Sequence, residues 1–525
     1  MEQLYNGICL EDNWLETAGP PSGIPGEIPY LQNPPKVIDV TVGRQLFVDN
    51  FLIQETDLQP TYHKAKKHPG NPVMKAQTPH ETQDTLPLAC PKSGGVWYDD
   101  KTGCYRMWYD AGWINRLAYA QSDDGIHWQR PVVDPDTGDN LLLLEKEFLE
   151  IRKPDGQMEY LPSADLRTDS SSVWIDPTAD PQQRYKMFFR PPPRPPEGNL
   201  YDPAIVATSA DGIHWENLHY TPNIGDRSTI FYNPFRKKWV YAIRDYWNSR
   251  SRLYRECDDL LEGASWKPEE AVKWLAADSQ DTENPYSDCP ISLYNTDIIA
   301  YESILLGMFE AWYGPDNKEC LKTGRPKHTA LIPMYSRDGY HFCRPDRNPL
   351  ISEDADAWDK GYIQSVTGGV IIHRDELWIY YVGFAGDKNI ITDSEFTNGM
   401  YANGATGIAV LRRDGFVSMG ADRGGYLLTR TLTVQDAAKM FVNFDGVMTV
   451  TLFTQDGSEY TSQKIRCDST CQQVVFEDFD ISKLNGTTFQ IRFCLEEGQL
   501  YAFWFSDTED GRSGGYPAAG MPSVK

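Results

Sequence analysis

The stretch SDDGIHW, Ser122–Trp128, returns almost letter for letter as SADGIHW at Ser209–Trp215 and more loosely as SRDGYHF at Ser336–Phe342. Each copy follows a short apolar strand. Asp-Gly at that point predicts a tight hairpin turn, because glycine accepts a positive φ and aspartate caps its own turn. Two degenerate copies lie within Ser251–Trp266 and Thr406–Ser418. The turn therefore marks the same point in five repeated units.

Ahead of each turn lies a pair of apolar strands joined by a polar hairpin, as in GGVWYDDKTGCYRMWYDAG before the first copy. About four antiparallel strands repeated five times, at irregular spacing, are typical of a β-propeller with long loops between its blades. The repeated Asp, Gly and Trp, which are Asp124, Gly125 and Trp128 in the first copy, are interpreted as scaffold because hairpin chemistry explains them.

After about residue 430 the pattern changes to strands that alternate apolar and polar residues, which is typical of a β-sandwich. The predicted fold class is all-β: a five-bladed β-propeller followed by a C-terminal β-sandwich. The predicted boundaries are an extended N-terminal arm over 1–45, the propeller over 46–428, the sandwich over 429–508 and a flexible tail over 509–525.

The composition excludes several classes of protein. The 525 residues carry a net charge of −25 with no Lys/Arg-rich run, which argues against a nucleic-acid partner. No apolar run is long enough to cross a membrane. The start of the chain lacks the features of a signal peptide, so we expect a cytoplasmic protein with reduced thiols. Motifs for nucleotides, zinc or a serine nucleophile are missing, so we expect no cofactor and assign no metal ligands. A single structural cation at the propeller axis stays open, although no ligand spacing predicts it.

The inner strand of each propeller blade begins at the central cavity, so residues just before those strands share one mouth. Aligning four blades on Val96, Val173, Ile230 and Val370 places four residues at one level: Lys92, Asp169, Asp226 and Val366. In the fourth blade the nearest acid is Glu302, which interrupts an apolar run. Three carboxylates from three blades are therefore expected around one cavity.

The first blade carries Lys92 where an acid is expected. The loop before it supplies Glu81 and Asp84 as candidates for the missing carboxylate. Basic and aromatic side chains are expected to complete the mouth as substrate-binding groups, together with Asp84 and Lys92: His63, His68, Trp113, Arg167, Arg227, Arg244 and Trp247. Arginine forks suit sugar hydroxyls or a substrate carboxylate.

This arrangement suits glycoside hydrolysis. One carboxylic acid protonates the leaving oxygen, a second carboxylate attacks or activates water, and a third tunes the first. The catalytic candidates are Asp169, Asp226, Glu302 and Glu81. Their roles stay open at this point.

Several stretches resemble the five-bladed propeller glycosidases: LFVDNFLIQETDLQPTYHKAKKHPGNPVM, YRMWY, SDDGIHWQRP, WDKG before DELWIYYVGF, and GIAVLRRDGFVSM with LYAFWF. Over about residues 44–506 the chain is similar in particular to bacterial proteins that are themselves similar to glycoside hydrolase family 32, and more distantly to families 43, 130 and 143. The resemblance implies Asp226 as transition-state stabiliser, Glu302 as general acid and a furanoside substrate. The chain departs from the family in having GDRST in place of an Arg-Asp-Pro triplet, and Ser303 after Glu302.

The predicted function is exo-acting hydrolysis of a short oligosaccharide or glycoside, with a fructofuranosyl or arabinofuranosyl sugar. Two alternatives stay open. One is a glycoside phosphorylase on the same fold, which Lys92 in an acid's place favours. The other is a carbohydrate-binding propeller without catalysis. The terminal arms also suggest a homo-oligomer.

Overall fold

The computed structural model describes residues 1–17, 28–83, 86–191, 202–323, 327–386 and 400–522. These residues form a five-bladed β-propeller and a second β-domain, which confirms the predicted all-β fold class. The α-helices within them are short: Trp14–Thr17, Pro29–Gln32, Pro79–Thr82 and Asn317–Thr323. None of the helices in these ranges is long and apolar enough to span a membrane.

Each blade begins with an inner strand beside the axis and continues outward through antiparallel neighbours. Blade 1 contains Ala89–Asp99, Cys104–Ala111 and Arg116–Ser122. Blade 2 contains Ser171–Ile175, Tyr185–Phe189, Pro203–Ser209 and Glu216–Asn223, with the hairpin Phe148–Arg152 and Met158–Pro162 at its outer edge. Blade 3 contains Thr229–Asn233, Lys238–Asp245, Ser251–Cys257 and Val272–Lys273.

Blade 4 contains Ser292–Glu302, Ile304–Gly314, His328–Ser336 and Ile351–Ser352. Blade 5 contains Tyr362–Gln364, Val370–His373, Glu376–Phe384, Gly404–Arg412 and, from the N-terminal side of the chain, Lys66–Lys67. The short strand Val366–Gly368 runs parallel to the inner strand of blade 1. It joins the last blade to the first and closes the ring, so that the propeller has no open edge at the axis.

The two ends of the propeller differ in what they carry. The inner strands begin at one end, which we call the mouth. The repeated turns lie at the opposite end, which we call the base. Asp124 Oδ1 accepts hydrogen bonds from the backbone N–H groups of Ile126 and His127, and Oδ2 lies 2.7 Å from His127 Nδ1. The same pattern recurs in the other two copies. The interpretation of the turn and its histidines as scaffold is confirmed.

Gly125 offers a test of how tightly this scaffold is packed. Its φ is +77°, and a Cβ there would lie 2.6 Å from Tyr380 Oη. Gly103 has a φ of +68° but nothing within 4 Å. Gly103→Ala should lower the free energy of unfolding by about 1 kcal/mol through backbone strain alone. Gly125→Ala should cost about 1–3 kcal/mol more through overpacking. Denaturant unfolding of both variants measures the difference, and equal losses would contradict the packing argument.

The second domain is an 11-stranded sheet that curls around its own hydrophobic core as a sandwich. Its strands are Val417–Ala421, Gly425–Thr429, Leu432–Thr433, Lys439–Thr454, Glu459–Thr461, Ile465–Val474 and Phe489–Ser506, plus Ile38–Asp39, Gln45–Leu46, Ile53–Thr56 and Gln59–Tyr62 from the N-terminal region. The predicted boundaries at 46 and 429 are therefore wrong. Leu46 pairs with Ala502, and sequence pattern alone does not show a partner so far along the chain.

The chain termini lie against the propeller. The hairpin formed by Glu2–Gln3 and Cys9–Leu10 packs on blades 3 and 4, where Glu2 pairs with Arg236 at 3.1 Å. The tail crosses the base: Ala519 bonds through its backbone to Val370 and Tyr98, at 2.9 and 2.8 Å. The prediction of a flexible tail over 509–525 is wrong for its described part, because these bonds tie it to the inner strands.

Candidate active site

Three successive blades share one backbone feature at the mouth. A non-glycine residue with positive φ directly follows each of the charged residues aligned above, in the pairs Lys92–Ser93, Asp169–Ser170 and Asp226–Arg227, with φ of 66°, 98° and 61°. Such conformations are uncommon outside glycine, and they cluster at functional sites.

The charged side chains form an alternating row across blades 1 to 3. Lys92 Nζ lies 2.5 Å from Asp169 Oδ1. Arg190 Nη1 lies 3.0 Å from the other Asp169 oxygen and 4.0 Å from Asp226 Oδ1. Arg250 Nη2 lies 3.0 Å from Asp226 Oδ2. The structure thus brings Lys92, Asp169 and Asp226 together, with one guanidinium shared between the two carboxylates.

Asp226 is an ionised carboxylate throughout the physiological range. Burial by itself would raise its pKa, but the guanidinium groups of Arg250 and Arg190, with other arginines nearby, lower the pKa below its usual range. The side chain is 30% exposed, against 15% for Asp169, so it faces the open end of the cavity. A permanently charged carboxylate of this kind can attack or stabilise a positive centre, and it cannot serve as a proton donor.

Two other carboxyl groups at the mouth have raised pKa values, in contrast to Asp226. Glu310, on the second strand of blade 4, accepts from Ser365 N at 3.1 Å, and its Oε1 is buried without a hydrogen-bond partner among the described residues. Asp110 accepts from Thr168 Oγ1 at 3.0 Å, and its Oδ2 is likewise unpartnered there. Burial raises the pKa of each to about 7. Either group can hold a proton near neutral pH.

Aromatic rings form the rest of the wall. Trp113 stacks on Tyr401 with ring centroids 3.9 Å apart, and Lys92 Nζ lies 3.9 Å over the Trp113 ring. Lys327 Nζ donates to Tyr294 Oη at 2.9 Å. We call the whole set the axial pocket, and it comprises Lys92, Asp110, Trp113, Asp169, Arg190, Asp226, Arg227, Arg250, Tyr294, Glu310, Lys327, Tyr362 and Tyr401.

The axis is closed deeper in the propeller by a buried hydrogen-bond cluster. Asp297 accepts from Ser365 Oγ at 2.6 Å, Thr367 Oγ1 at 2.7 Å and Asn295 Nδ2 at 3.0 Å. Thr367 also bonds to Ser172 of blade 2 at 3.0 Å. These bonds join residues of blades 2 and 4 with the segment between blade 5 and blade 1 across the propeller axis, and Ser365 Oγ also lies 3.3 Å from Glu310.

Glu302 lies at the other end of the propeller. It is the last residue of the blade 4 inner strand, at the base, in a tight turn where Tyr301 pairs with Ile304. Its assignment as the general acid is therefore wrong. The run 292–314 is buried almost throughout and carries no Asn-Gly or Asp-Gly signal to mark its turn. The inner strand Ser292–Glu302 ends at Glu302, whereas an acid at the mouth would stand before that strand.

The Glu302 carboxylate links the propeller to both ends of the chain. It accepts from Arg413 Nη2 at 2.9 Å, Ser513 Oγ at 2.6 Å and Arg44 N at 3.1 Å, and the side chain is 2% exposed. Every one of these partners lies at the base, so the role of Glu302 is structural.

Glu81 is also structural. It completes the capping box of the helix Pro79–Thr82, accepting from the backbone of Gln77 and Thr78 at 2.6 and 2.9 Å. Its other oxygen accepts from Tyr109 Oη and Arg130 Nε, both at 2.7 Å. With both oxygens occupied and the side chain buried, its prediction as a catalytic acid is wrong. Asp84 lies outside the described residues.

Two predicted binding residues lie away from the mouth. His63 Nε2 lies 2.8 Å from Ser418 Oγ in the sandwich, and the ring of His68 is 5.9 Å from that of Trp378 near the base. The sequence predicts a long loop over residues 60–90 at the mouth, and both histidines belong to that segment. The strands Gln59–Tyr62 and Lys66–Lys67 tie it to the sandwich and to blade 5 instead.

The remaining candidates lie at the rim or outside it. Arg167 donates to carbonyl oxygens of its own loop, and Arg244 Nη2 lies 4.0 Å from Asp202 at the rim. Trp247 donates to Arg252 O and lines a groove of about 750 Å³ between blades 3 and 4 and the N-terminal segment. Of the predicted binding residues, the axial pocket contains Lys92, Trp113 and Arg227.

Sequence reasoning missed five charged residues of the pocket: Asp110, Arg190, Arg250, Glu310 and Lys327. They lie near the mouth ends of second and third strands, whereas the blade alignment counts from the inner strands. Charged residues that border those strands, as in WYDAG and FFRPP, are the signal that points to them.

Within the described ranges, no group of three or more His, Cys, Asp or Glu side chains is arranged to hold a metal ion. Neither a protein-family model nor a curated protein matches the chain.

Solved structures with a similar arrangement include a putative glycoside hydrolase from Bacteroides ovatus (13% identity, TM-score 0.39, covering 69% of this chain and 98% of that one). Two others are a GH32 β-fructofuranosidase from Bombyx mori (10%, 0.37, 85% and 94%) and a GH43 protein from Bacillus licheniformis (10%, 0.38, 85% and 98%). At this distance the similarity says nothing about the chemistry of the pocket.

Proposed function

We propose that the protein is a glycoside hydrolase that works at the axial pocket. One arrangement carries this proposal: Asp226 lies against Arg250 and Arg190, which lower the pKa of its carboxyl, whereas Glu310 is buried with no cation within 4.0 Å among the described residues, and burial raises its pKa to about 7. Two carboxyl groups whose environments push their pKa values apart are what acid-assisted cleavage of a glycosidic bond requires. Arg227 lies within electrostatic reach of both.

Glu310 is the proposed general acid, in the fourth-blade role that the resemblance implied for Glu302. Its proton passes to the leaving oxygen as the bond from that oxygen to the anomeric carbon breaks. Asp226 and Asp169 provide the negative charge facing the sugar. One of them attacks the anomeric carbon or takes a proton from the attacking water, and the other stabilises the positive charge that develops on the ring. Trp113 and Tyr401 offer flat faces for the sugar.

The finer part of the proposal is exo action on a short saccharide. The hydrogen bonds of Asp297 to Ser365 and Thr367 cross the propeller axis, and a site with such a floor receives the end of a saccharide chain and not its middle. The choice of a furanosyl sugar rests on the resemblance of the sequence alone.

Phosphorolysis is the second candidate. Lys92 stands where an acid is expected in blade 1, and it is paired to Asp169. Such a site can bring phosphate to the anomeric carbon in place of water. The phosphate oxygen then forms the new bond, the leaving oxygen takes the proton of Glu310, and the products are a glycosyl phosphate and the shortened saccharide.

A screen of p-nitrophenyl furanosides, pyranosides and small oligosaccharides, with and without phosphate, tests both candidates. Asp226→Ala should lower turnover by about 10²- to 10⁴-fold. Asp226→Ala and Asp169→Ala are then assayed with added azide. Azide should restore turnover only in the variant that lacks the attacking carboxylate, because it occupies the vacated space and attacks the anomeric carbon instead. Asp258→Ala removes an exposed blade 3 carboxylate and serves as the control.

Hydrolysis without phosphate supports the first candidate, and turnover only with phosphate supports the second. Saccharide binding without any product, from folded protein, would contradict both and leave a carbohydrate-binding propeller.

A further inference from the structure

We infer that the substrate of the axial pocket carries an anionic group, held between Arg227 and Lys327. This inference rests on the proposed function and adds the chemical class of the substrate. It begins from two buried cations that have no carboxylate partner in the described part of the chain.

Arg227 is 2% exposed. Its Nε and Nη2 are buried with no hydrogen-bond partner among the described residues, and Nη1 reaches only Ser170 Oγ at 3.5 Å. No described carboxylate lies within 4.0 Å of it. A guanidinium carries five N–H donors, so most of its bonding capacity is unused. Burying such a group without partners is unfavourable unless a ligand completes it.

Lys327 is 1% exposed and is surrounded by tyrosines. It donates to Tyr294 Oη at 2.9 Å, and the rings of Tyr362 and Tyr401 lie 5.1 and 4.9 Å from its Nζ. Ring faces attract a cation without neutralising it. Within the described ranges no carboxylate lies within 4.0 Å of this ammonium either.

The other cations of the axial pocket are already neutralised. Lys92 and Arg190 pair with Asp169, and Arg250 pairs with Asp226. In a protein of net charge −25, Arg227 and Lys327 thus keep positive charge with no carboxylate within 4.0 Å in the described structure, in the same pocket as the carboxylate of Asp226.

Arg227 and Lys327 have polar neighbours that suit an anion. Both interact electrostatically with Tyr294, and Tyr362 Oη is buried without a partner in the described structure, so that it can donate. The fork of an arginine and the point charge of a lysine together suit a carboxylate or a phosphate. A neutral sugar hydroxyl would accept a bond from these groups and leave the charge uncompensated. The ligand class is therefore an acidic sugar or inorganic phosphate.

Titration calorimetry on the full chain tests this with glucuronate, galacturonate, the neutral parent sugars and inorganic phosphate. An acid sugar or phosphate should bind at least about 10-fold more tightly than the neutral parents. Arg227→Lys and Lys327→Met should each weaken that binding by about 10-fold or more, and Lys327→Arg should retain most of it. Arg167→Met should change nothing, because among the described residues that arginine donates hydrogen bonds only to carbonyl groups of its own loop.

The uronate and phosphate titrations, read beside the turnover assay, distinguish the two sources of the anion. Uronate binding with phosphate-independent turnover identifies an acidic sugar, and phosphate binding with phosphate-dependent turnover identifies phosphorolysis. Equal affinity for acid and neutral sugars with no phosphate binding would overturn the inference. So would unchanged anion binding in Arg227→Lys and Lys327→Met.

Failure of the inference is distinguishable from failure of the proposed function. Neutral glycosides that wild type hydrolyses and Glu310→Gln does not, together with equal affinity for acid and neutral sugars, would leave the hydrolase and remove the anion site. Anion binding without turnover of any glycoside would keep the anion site and contradict the proposed hydrolase.

Discussion

Replacing Glu302 by glutamine should destabilise the protein by about 3–5 kcal/mol, because it breaks a buried ion pair from one side. The carboxylate is 2% exposed and compensates Arg413, with Arg44 Nε at 3.6 Å. It also bonds to Ser513 of the C-terminal tail. Removing its charge leaves the half-buried Arg413 guanidinium without its carboxylate at 2.9 Å and loosens the tail from the base, while Arg44 keeps Asp414 at 2.8 Å.

Denaturant unfolding of Glu302→Gln beside wild type measures this loss. The folded fraction of the variant should keep its turnover per active molecule, since Glu302 is at the base and the axial pocket is at the mouth. Loss of turnover with an unchanged unfolding midpoint would show that Glu302 acts in the chemistry after all.

Glu310→Gln, the same substitution at the mouth end of the same blade, should lower kcat by about 10²- to 10⁴-fold, because it removes the proposed proton donor. Its effect on stability should be small by comparison. Glu310 pairs with no cation within 4.0 Å among the described residues, and glutamine can still accept from Ser365 N. Steady-state kinetics and unfolding of the two variants should therefore give opposite results.

The pH dependence makes the second prediction sharper. Burial raises the pKa of Glu310 to about 7 from an ordinary value of 4.5, so the acid is protonated and active below about pH 7. Turnover should fall as pH rises through 7. The residual turnover of Glu310→Gln should not show this fall.

The free energy of unfolding, like turnover, should fall as pH rises. The folded state holds a proton that the unfolded state releases between pH 4.5 and about 7, so this group's contribution to the free energy of unfolding declines across that window. The decline should be smaller in Glu310→Gln. If the turnover of Glu310→Gln still falls as pH rises through 7, the fall belongs to another titrating group. Asp110 would be the first to test, because burial also raises its pKa to about 7.

The sequence by itself determined the propeller. The Asp-Gly turns are local chemistry: Asp124 bonds within its own turn, and each turn follows one strand, so five copies predict five blades. The alignment of Lys92, Asp169 and Asp226 also depended only on counting from inner strands, and these three residues do meet at the mouth.

Tertiary structure alone decided the rest. Glu302 and Glu310 belong to one apolar run, and only the pairing of Tyr301 with Ile304 places the first at the base and the second near the mouth. Leu46 joins the sandwich through Ala502, a partner in a distant part of the sequence. Strand pairing over such distances, and the charge neighbours that set each carboxyl's pKa, depend on packing between segments that no local pattern encodes.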